Sequence, residues 1–108
     1  MINFALQIYT VVVISYGKIR EFIDKNPNAA DTLNNWYRAV EMADWSNFHE
    51  MRNTFNSVDA VGNDRYVFNV GGNNYRVVAM IFFDIRTVFI RFVGRHTDYD
   101  KLNNVSNV

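Results

Sequence analysis

From Lys18 to Phe55 the apolar residues recur at helical spacing, and from Val58 to Val93 they alternate or run together as strands do. Ile19, Phe22 and Ile23 form a first stripe at i, i+3, i+4. Asn26-Pro27-Asn28 ends that helix, because proline disfavours helical geometry at the residue before it. Asn28 is then placed to cap a second helix, whose stripe is Ala30, Leu33, Trp36, Tyr37, Val40 and Ala43. Ser46 is placed to cap a third, short helix carrying Phe48, Met51 and Phe55. Trp36, Trp45, Phe48 and Phe55 read as core.

In the second half, Tyr66–Val70 and Tyr75–Phe83 flank the turn signal Gly71-Gly72-Asn73-Asn74. Tyr75–Phe83 and Val88–Val93 flank a second turn, Asp84-Ile85-Arg86-Thr87. Helices followed by a meander predict an α+β domain, with the helices covering one face of an antiparallel sheet. The β-branched run Val11–Ile14 reads as a buried strand. The chain reads as one domain over 1–108, with 1–10 as an N-terminal extension and 103–108 as a fraying tail.

Two four-residue loops fix a register. Val70 then faces Tyr75, Phe68 faces Val77, Ile81 faces Ile90 and Ala79 faces Phe92. One face, running from Tyr66 to Phe92, is almost wholly apolar. The other is mixed, with Arg76 directly opposite Arg95 and Arg91 beside Met80. Like charges opposite one another on a sheet are destabilising, so three arginines on one face need a reason. Either each guanidinium reaches water or a carboxylate such as Asp98 or Asp100, or the three form an anion site, where guanidinium forks match phosphate oxygens. A one-residue slip would move them to the other face.

The segment Gly94-Arg95-His96-Thr97-Asp98-Tyr99-Asp100-Lys101 holds most of the remaining chemistry. His96 sits at a strand end and suits proton transfer near neutrality. In a helical turn Tyr99 and Asp100 return towards it. The same residues also read as a simple capped turn, with Thr97 or Asp98 as the cap. His49, beside Glu50, reads as a surface residue.

Composition changes this picture only at its edges. The chain of 108 residues has no cysteine and two histidines, so it has no disulfide frame and a poor inventory for metal ligation. We expect no metal and no cofactor. The formal net charge is zero, which argues against a generic nucleic-acid binder but not against a local basic cluster. The apolar start Met1–Ile14 lacks a basic flank and is interrupted by Asn3 and Gln7. It is also shorter than the ~20 residues that span a bilayer, so neither a signal peptide nor a membrane role is expected.

The run Tyr66-Val67-Phe68-Asn69-Val70-Gly71-Gly72-Asn73-Asn74-Tyr75-Arg76 resembles the HigB-type toxins of bacterial type II toxin–antitoxin systems. So does Phe89-Ile90-Arg91-Phe92-Val93-Gly94-Arg95-His96-Thr97-Asp98-Tyr99-Asp100-Lys101. Leu33-x-x-Trp36-Tyr37, Ala43-Asp44-Trp45 and Ser57–Val61 fit the same pattern, which covers about Val11 to Lys101. The resemblance implies a RelE/ParE-like fold and an mRNA interferase, an endoribonuclease that cuts messenger RNA on the translating ribosome in the cytoplasm. It implies a HigA-type helix-turn-helix antitoxin as partner, and operator DNA bound only through the toxin–antitoxin complex. Arg76, Arg91, His96, Tyr99 and Asp100 match the family's motif positions. Arg95 stands where threonine is commoner, so its role rests on the register alone.

Metal-free RNA cleavage needs a base for the 2′-hydroxyl, an acid for the leaving 5′-oxygen and cations for the phosphorane. The expected assignment has Arg76 and Arg91 clamping the scissile phosphate and His96 as acid or base. Tyr99 stacks on a base or takes the second proton transfer, and Asp100 orients one of them. Arg95, Lys101 and Asn73 complete the expected RNA contacts. The same scaffold also hosts toxins that poison DNA gyrase by protein contact, as well as inactive members, and fold alone does not separate these.

Overall fold

Pro27 divides the helical half where its position predicts. The structure is a computed structural model that describes residues 11–108; the expected extension at 1–10 lies outside the described residues. Helix α1 (Gly17–Lys25) buries Ile19 and half-buries Phe22 and Ile23. It stops at Asn26, whose φ of −138° and ψ of 71° leave the helix, and whose side-chain amide donates back to the Phe22 carbonyl. A 3-10 turn, Pro27–Ala29, runs straight into α2 (Ala30–Glu41). The cap expected from Asn28 is not made, because Ala29 at the cap position is already helical and a side-chain cap needs extended geometry there. Helix α2 buries Leu33, Trp36 and Val40, as its stripe requires.

Helix α3 (Phe48–Thr54) is capped by Asn47 rather than by Ser46. Asn47 Oδ1 accepts from the Glu50 N–H at 2.9 Å, and Glu50 Oε1 accepts from the Ser46 N–H at 2.8 Å. These reciprocal bonds resemble a capping box, with the returning carboxylate reaching one residue further back.

The sheet has the strand order β1-β5-β4-β3-β2. Its strands are β1 (Val12–Ile14), β2 (Val58–Gly62), β3 (Arg65–Val70), β4 (Tyr75–Phe82) and β5 (Thr87–Arg95). β2 to β5 form the antiparallel meander, and β1 joins β5 in parallel with Val13 beside Val88. The Val11–Ile14 run is therefore an edge strand rather than a buried one. Val12 and Ile14 are exposed, while Val11 and Val13 face the core.

The β3–β4 register is the expected one, with Val70 opposite Tyr75 and Phe68 opposite Val77. Gly71 takes a φ of +65°, and a Cβ there would approach the Thr32 side chain to 3.2 Å, so the turn lies against the start of α2.

The β4–β5 register departs from expectation twice. Phe83–Ile85 forms a 3-10 turn closed by Arg86 at a φ of 51°, so Ile81 faces Val88 and Ala79 faces Ile90. That is a shift of two residues, which keeps each side chain on its expected face. Next, Ala79 pairs with Ile90 but Val78 pairs with Phe92, leaving Arg91 as an extra residue in a bulge. One extra residue reverses every face beyond it. Val93 and Arg95 now share the helix-covered face with Val77 and Tyr75, and Phe92 and Gly94 share the opposite face with Val78 and Arg76. Arg76 faces Gly94, not Arg95, and the three arginines do not gather on one face.

The core lies between the helices and the sheet. Phe68 meets Trp36 and Phe55 edge-on at 5.1 and 5.2 Å between ring centres. Burying side chains of this kind contributes roughly 1.5–3 kcal/mol each. Trp45 donates its indole N–H to Thr54 Oγ1 at 3.0 Å. On the other face, Val67 and Val78 are buried outside that core. There α4 (His96–Tyr99) packs on β4 and β5, and a 3-10 turn at Val105–Asn107 packs on β2 and β3. The tail expected to fray is fastened: Asn63 donates to the Ser106 carbonyl at 2.9 Å, and Arg65 and Arg91 donate to the Val108 oxygen. Among the described residues no helix is long and apolar enough to cross a membrane.

Candidate active site at the junction of β5 and α4

Strand β5 ends at Arg95 and the chain turns directly into α4. The His96 N–H donates to the Asn74 carbonyl at 3.0 Å, which ties this junction to the Gly71–Asn74 turn. Arg95, extended at φ −73° and ψ 158°, is itself the cap residue of α4 and makes no side-chain cap bond. The cap expected from Thr97 or Asp98 is absent because the helix begins at His96, which puts both residues inside it.

His96, Arg95, Thr97, Asn74 and Tyr75 line a cleft of about 320 Å³. Arg95 Nη2 donates to Asn26 Oδ1 at 2.9 Å, and the Tyr75 ring meets Phe22 edge-on at 5.7 Å. The C-terminal end of α1 therefore holds two of these side chains in place. The imidazole is half-buried, while Arg95 is exposed. A guanidinium and an imidazole side by side in an open cleft can bind a phosphate and move a proton beside it.

Tyr99 and Asp100 follow one turn later. The Asp100 N–H donates to the His96 carbonyl at 3.0 Å, so the helical return is made. Tyr99 is half-buried, and Asp100 and Lys101 are exposed.

Arg76 leaves β4 on the opposite face and folds back on the turn. Its Nη2 donates to Asn73 Oδ1 at 2.7 Å, and its Nη1 donates to the Asn73 and Tyr75 carbonyls at 3.3 and 3.2 Å. Asn73 and Arg76 are thus bonded to one another beside Asn74, whose carbonyl accepts from the His96 N–H. At Gly94, opposite Arg76, a Cβ would meet the Phe92 ring at 2.6 Å and Asp98 Cβ at 3.4 Å. The missing side chain lets Phe92 lie across the strand and α4 close over it.

Arg91 is not brought to this place. It sits in the bulge three positions before Gly94, about 10 Å along the strand. It lines a separate cleft of about 270 Å³ between α1 and β5, with Lys18, Glu21 and Lys25. The expected pairing of Arg76 and Arg91 on one phosphate assumed a regular ladder, and the bulge separates them. Sequence reasoning gave Arg65, Lys18, Lys25, Asn74 and Tyr75 no part here. Asn74 closes the turn motif and Tyr75 follows it, but the two lysines carry no local signal. His49 is exposed on α3, as expected. Among the described residues no group of three or more His, Cys, Asp or Glu side chains is placed to share a metal ion.

Comparison with known proteins agrees with these motifs. Residues 29–102 match the model of the HigB_toxin family, described as the RelE-like toxic component of a toxin-antitoxin system. A protein of Escherichia coli O6:H1 named mRNA interferase HigB is 39% identical over 92 residues, which cover 83% of this chain and 89% of that one. An mRNA interferase HigB of Shigella flexneri is 60% identical over 35 residues, 32% of this chain and 34% of its own. With a helix-covered meander, a cleft built on His96 and Arg95, and a family match over most of its length, the chain belongs to the HigB toxin family of RelE-like toxin–antitoxin components.

Proposed function

We propose that the protein is an mRNA interferase, an endoribonuclease toxin that cleaves messenger RNA and so arrests translation and growth. The observation that carries this reading is the cleft at the β5–α4 junction, where His96 stands beside Arg95. The name of the relative that matches most of both chains supports it.

In the proposed reaction the 2′-oxygen attacks the adjacent phosphorus. The P–O5′ bond breaks, leaving a 2′,3′-cyclic phosphate and a free 5′-hydroxyl. One proton leaves the 2′-hydroxyl and one reaches the 5′-oxygen, and His96 carries one of these transfers. Arg95 in the cleft and Arg76, from the start of β4, supply positive charge to the phosphorane. Tyr99, one turn on, takes the other transfer or stacks on a base, and Asp100 orients its neighbours. Lys101 and Asn73 add RNA contacts. Side chains alone complete this proton balance, so the reaction runs without a metal.

The same reading assigns a cytoplasmic site of action. The substrate is mRNA presented by the translating ribosome, and a HigA-type helix-turn-helix antitoxin neutralises the toxin and carries it to operator DNA. Zero net charge fits this picture, because few phosphate contacts are on offer and free RNA then binds weakly.

The test is inducible expression in bacteria, with mRNA ends mapped by primer extension. Growth arrest with new mRNA ends is expected, and His96→Ala should relieve both while the protein stays folded. Arrest without mRNA cleavage, or with gyrase-dependent DNA damage instead, would overturn the reading.

A further inference from the structure

The Val108 main-chain oxygen sits where two guanidiniums converge. Arg65, from the start of β3, donates Nε at 3.2 Å and Nη2 at 3.0 Å. Arg91, from the β5 bulge, donates Nε at 3.1 Å. Neither arginine is within ion-pairing distance of a side-chain carboxylate among the described residues; the ion pair found there joins Arg86 to Asp44. The Nη groups of Arg91 make no hydrogen bond to the described residues. Two guanidiniums gathered on one oxygen, with donors left over on Arg91, form a cradle suited to an anion, since charge-assisted bonds are about twice as strong as neutral ones.

The cradle also continues into a cleft. Arg91 lines the 270 Å³ space between α1 and β5, where Lys18 and Lys25 stand against the single carboxylate of Glu21. Arg65, Arg91, Lys25 and Lys18 thus mark a basic track that begins on the tail-covered face and passes round the edge of β5. Among the described residues β1 pairs with Thr87 to Phe89, and no strand of theirs neighbours that edge at Arg91.

Apart from the two arginines, exposed hydrogen bonds fasten what covers the cradle. Asn104 is left-handed at φ 52° and starts the 3-10 turn, and Asn63 donates to the Ser106 carbonyl and to Asn107 Oδ1. All of these bonds are exposed. The family match ends at 102, before this segment begins.

We propose that Arg65 and Arg91 form a phosphodiester-binding subsite for RNA, remote from the cleavage cleft, and that residues 103–108 are a strap that occupies it until RNA displaces them. This rests on the RNA-cleavage reading and adds to it a second anchoring point and a built-in competitor. The strap lowers affinity for free RNA. Contacts that release the strap raise it.

The test uses the full chain and a short single-stranded RNA made uncleavable by 2′-O-methylation, with binding followed against salt concentration. Asn63→Gly keeps the left-handed turn but removes the strap's hydrogen bonds, and Asn104→Pro forbids the left-handed start of the tail. Both are expected to bind the RNA three- to tenfold more tightly than the unaltered protein. Arg65→Ala added to either should abolish the gain and lower the salt slope by about 0.7, the value of one single-strand phosphate contact. Arg65→Lys should restore part of the slope.

Unchanged affinity in both strap variants, or a gain that survives loss of Arg65, overturns the proposal. mRNA cleavage is scored separately with unmodified RNA. Loss of cleavage in His96→Ala with no strap effect overturns the subsite alone. A strap effect in a protein that cleaves nothing overturns the cleavage reading and leaves the subsite standing.

Discussion

Arg76 faces Gly94 across the β4–β5 ladder, and because Gly94 has no side chain the Phe92 ring lies over that strand beside Asp98. The space at Gly94 is what lets α4 approach, with Asp98 Cβ 3.4 Å from where a Gly94 Cβ would stand.

Gly94→Ala should therefore disturb the site without abolishing the fold. Its Cβ would stand 2.6 Å from the Phe92 ring, and overpacking of this kind costs typically 1–3 kcal/mol. A lowered urea midpoint together with loss of growth arrest is expected. A variant as stable and as toxic as the original would show that α4 does not rest on this contact.

For catalysis, His96→Ala should lower RNA cleavage by about 10²–10⁴-fold, the range for loss of one general acid or base. Arg76→Ala should lower it by about 10²–10³-fold, the cost of one preorganised charge donor. Single-turnover rates on RNA bound to ribosomes measure both. Arg91→Ala should affect binding more than the chemical step, because it lies in the bulge away from the cleft, so KM and kcat should separate the two arginines.

Helix α3 offers a local test. Asn47→Ala removes the acceptor for the Glu50 N–H and should destabilise the protein by about 1 kcal/mol. Ser46→Ala should be nearly silent by the same measurement, chemical denaturation, because the Ser46 N–H that meets Glu50 is backbone.

The core should respond on a larger scale. Leu33, fully buried on α2, should cost about 2–5 kcal/mol when changed to alanine. Trp36, whose buried indole N–H has no partner among the described residues, should lose less on Trp36→Phe than its volume suggests, because the orphaned donor disappears with it. Denaturation midpoints of the two variants check this.

Arg86 and Asp44 provide a contrast. The pair is 2.8 Å apart, but the Asp44 side chain is 56% exposed, and surface ion pairs contribute roughly 0–1 kcal/mol. Asp44→Ala should shift the midpoint little, and less still at high salt.

The sequence by itself determined the division into helices and meander, the stop at Pro27, the core stripes and the turn at Gly71-Gly72. Each of these is written in neighbouring residues. Helical and strand periods, proline geometry and glycine's left-handed freedom act over a few positions. The family resemblance was legible for the same reason, as short motifs in order. The helix caps at Asn28 and Ser46 were misplaced by a residue or two, because capping depends on the backbone angles just ahead of the helix rather than on residue type.

Tertiary structure alone decided which charges meet. A bulge at Arg91 leaves no clear mark in the pattern, yet one extra residue moved Arg95 to the side of His96 and Tyr75 and left Arg91 to Arg65 and the tail. Strand parity carries every downstream side chain with it. The placement of a site on a sheet is therefore fixed by the pairing of distant strands, and only the folded ladder sets that pairing.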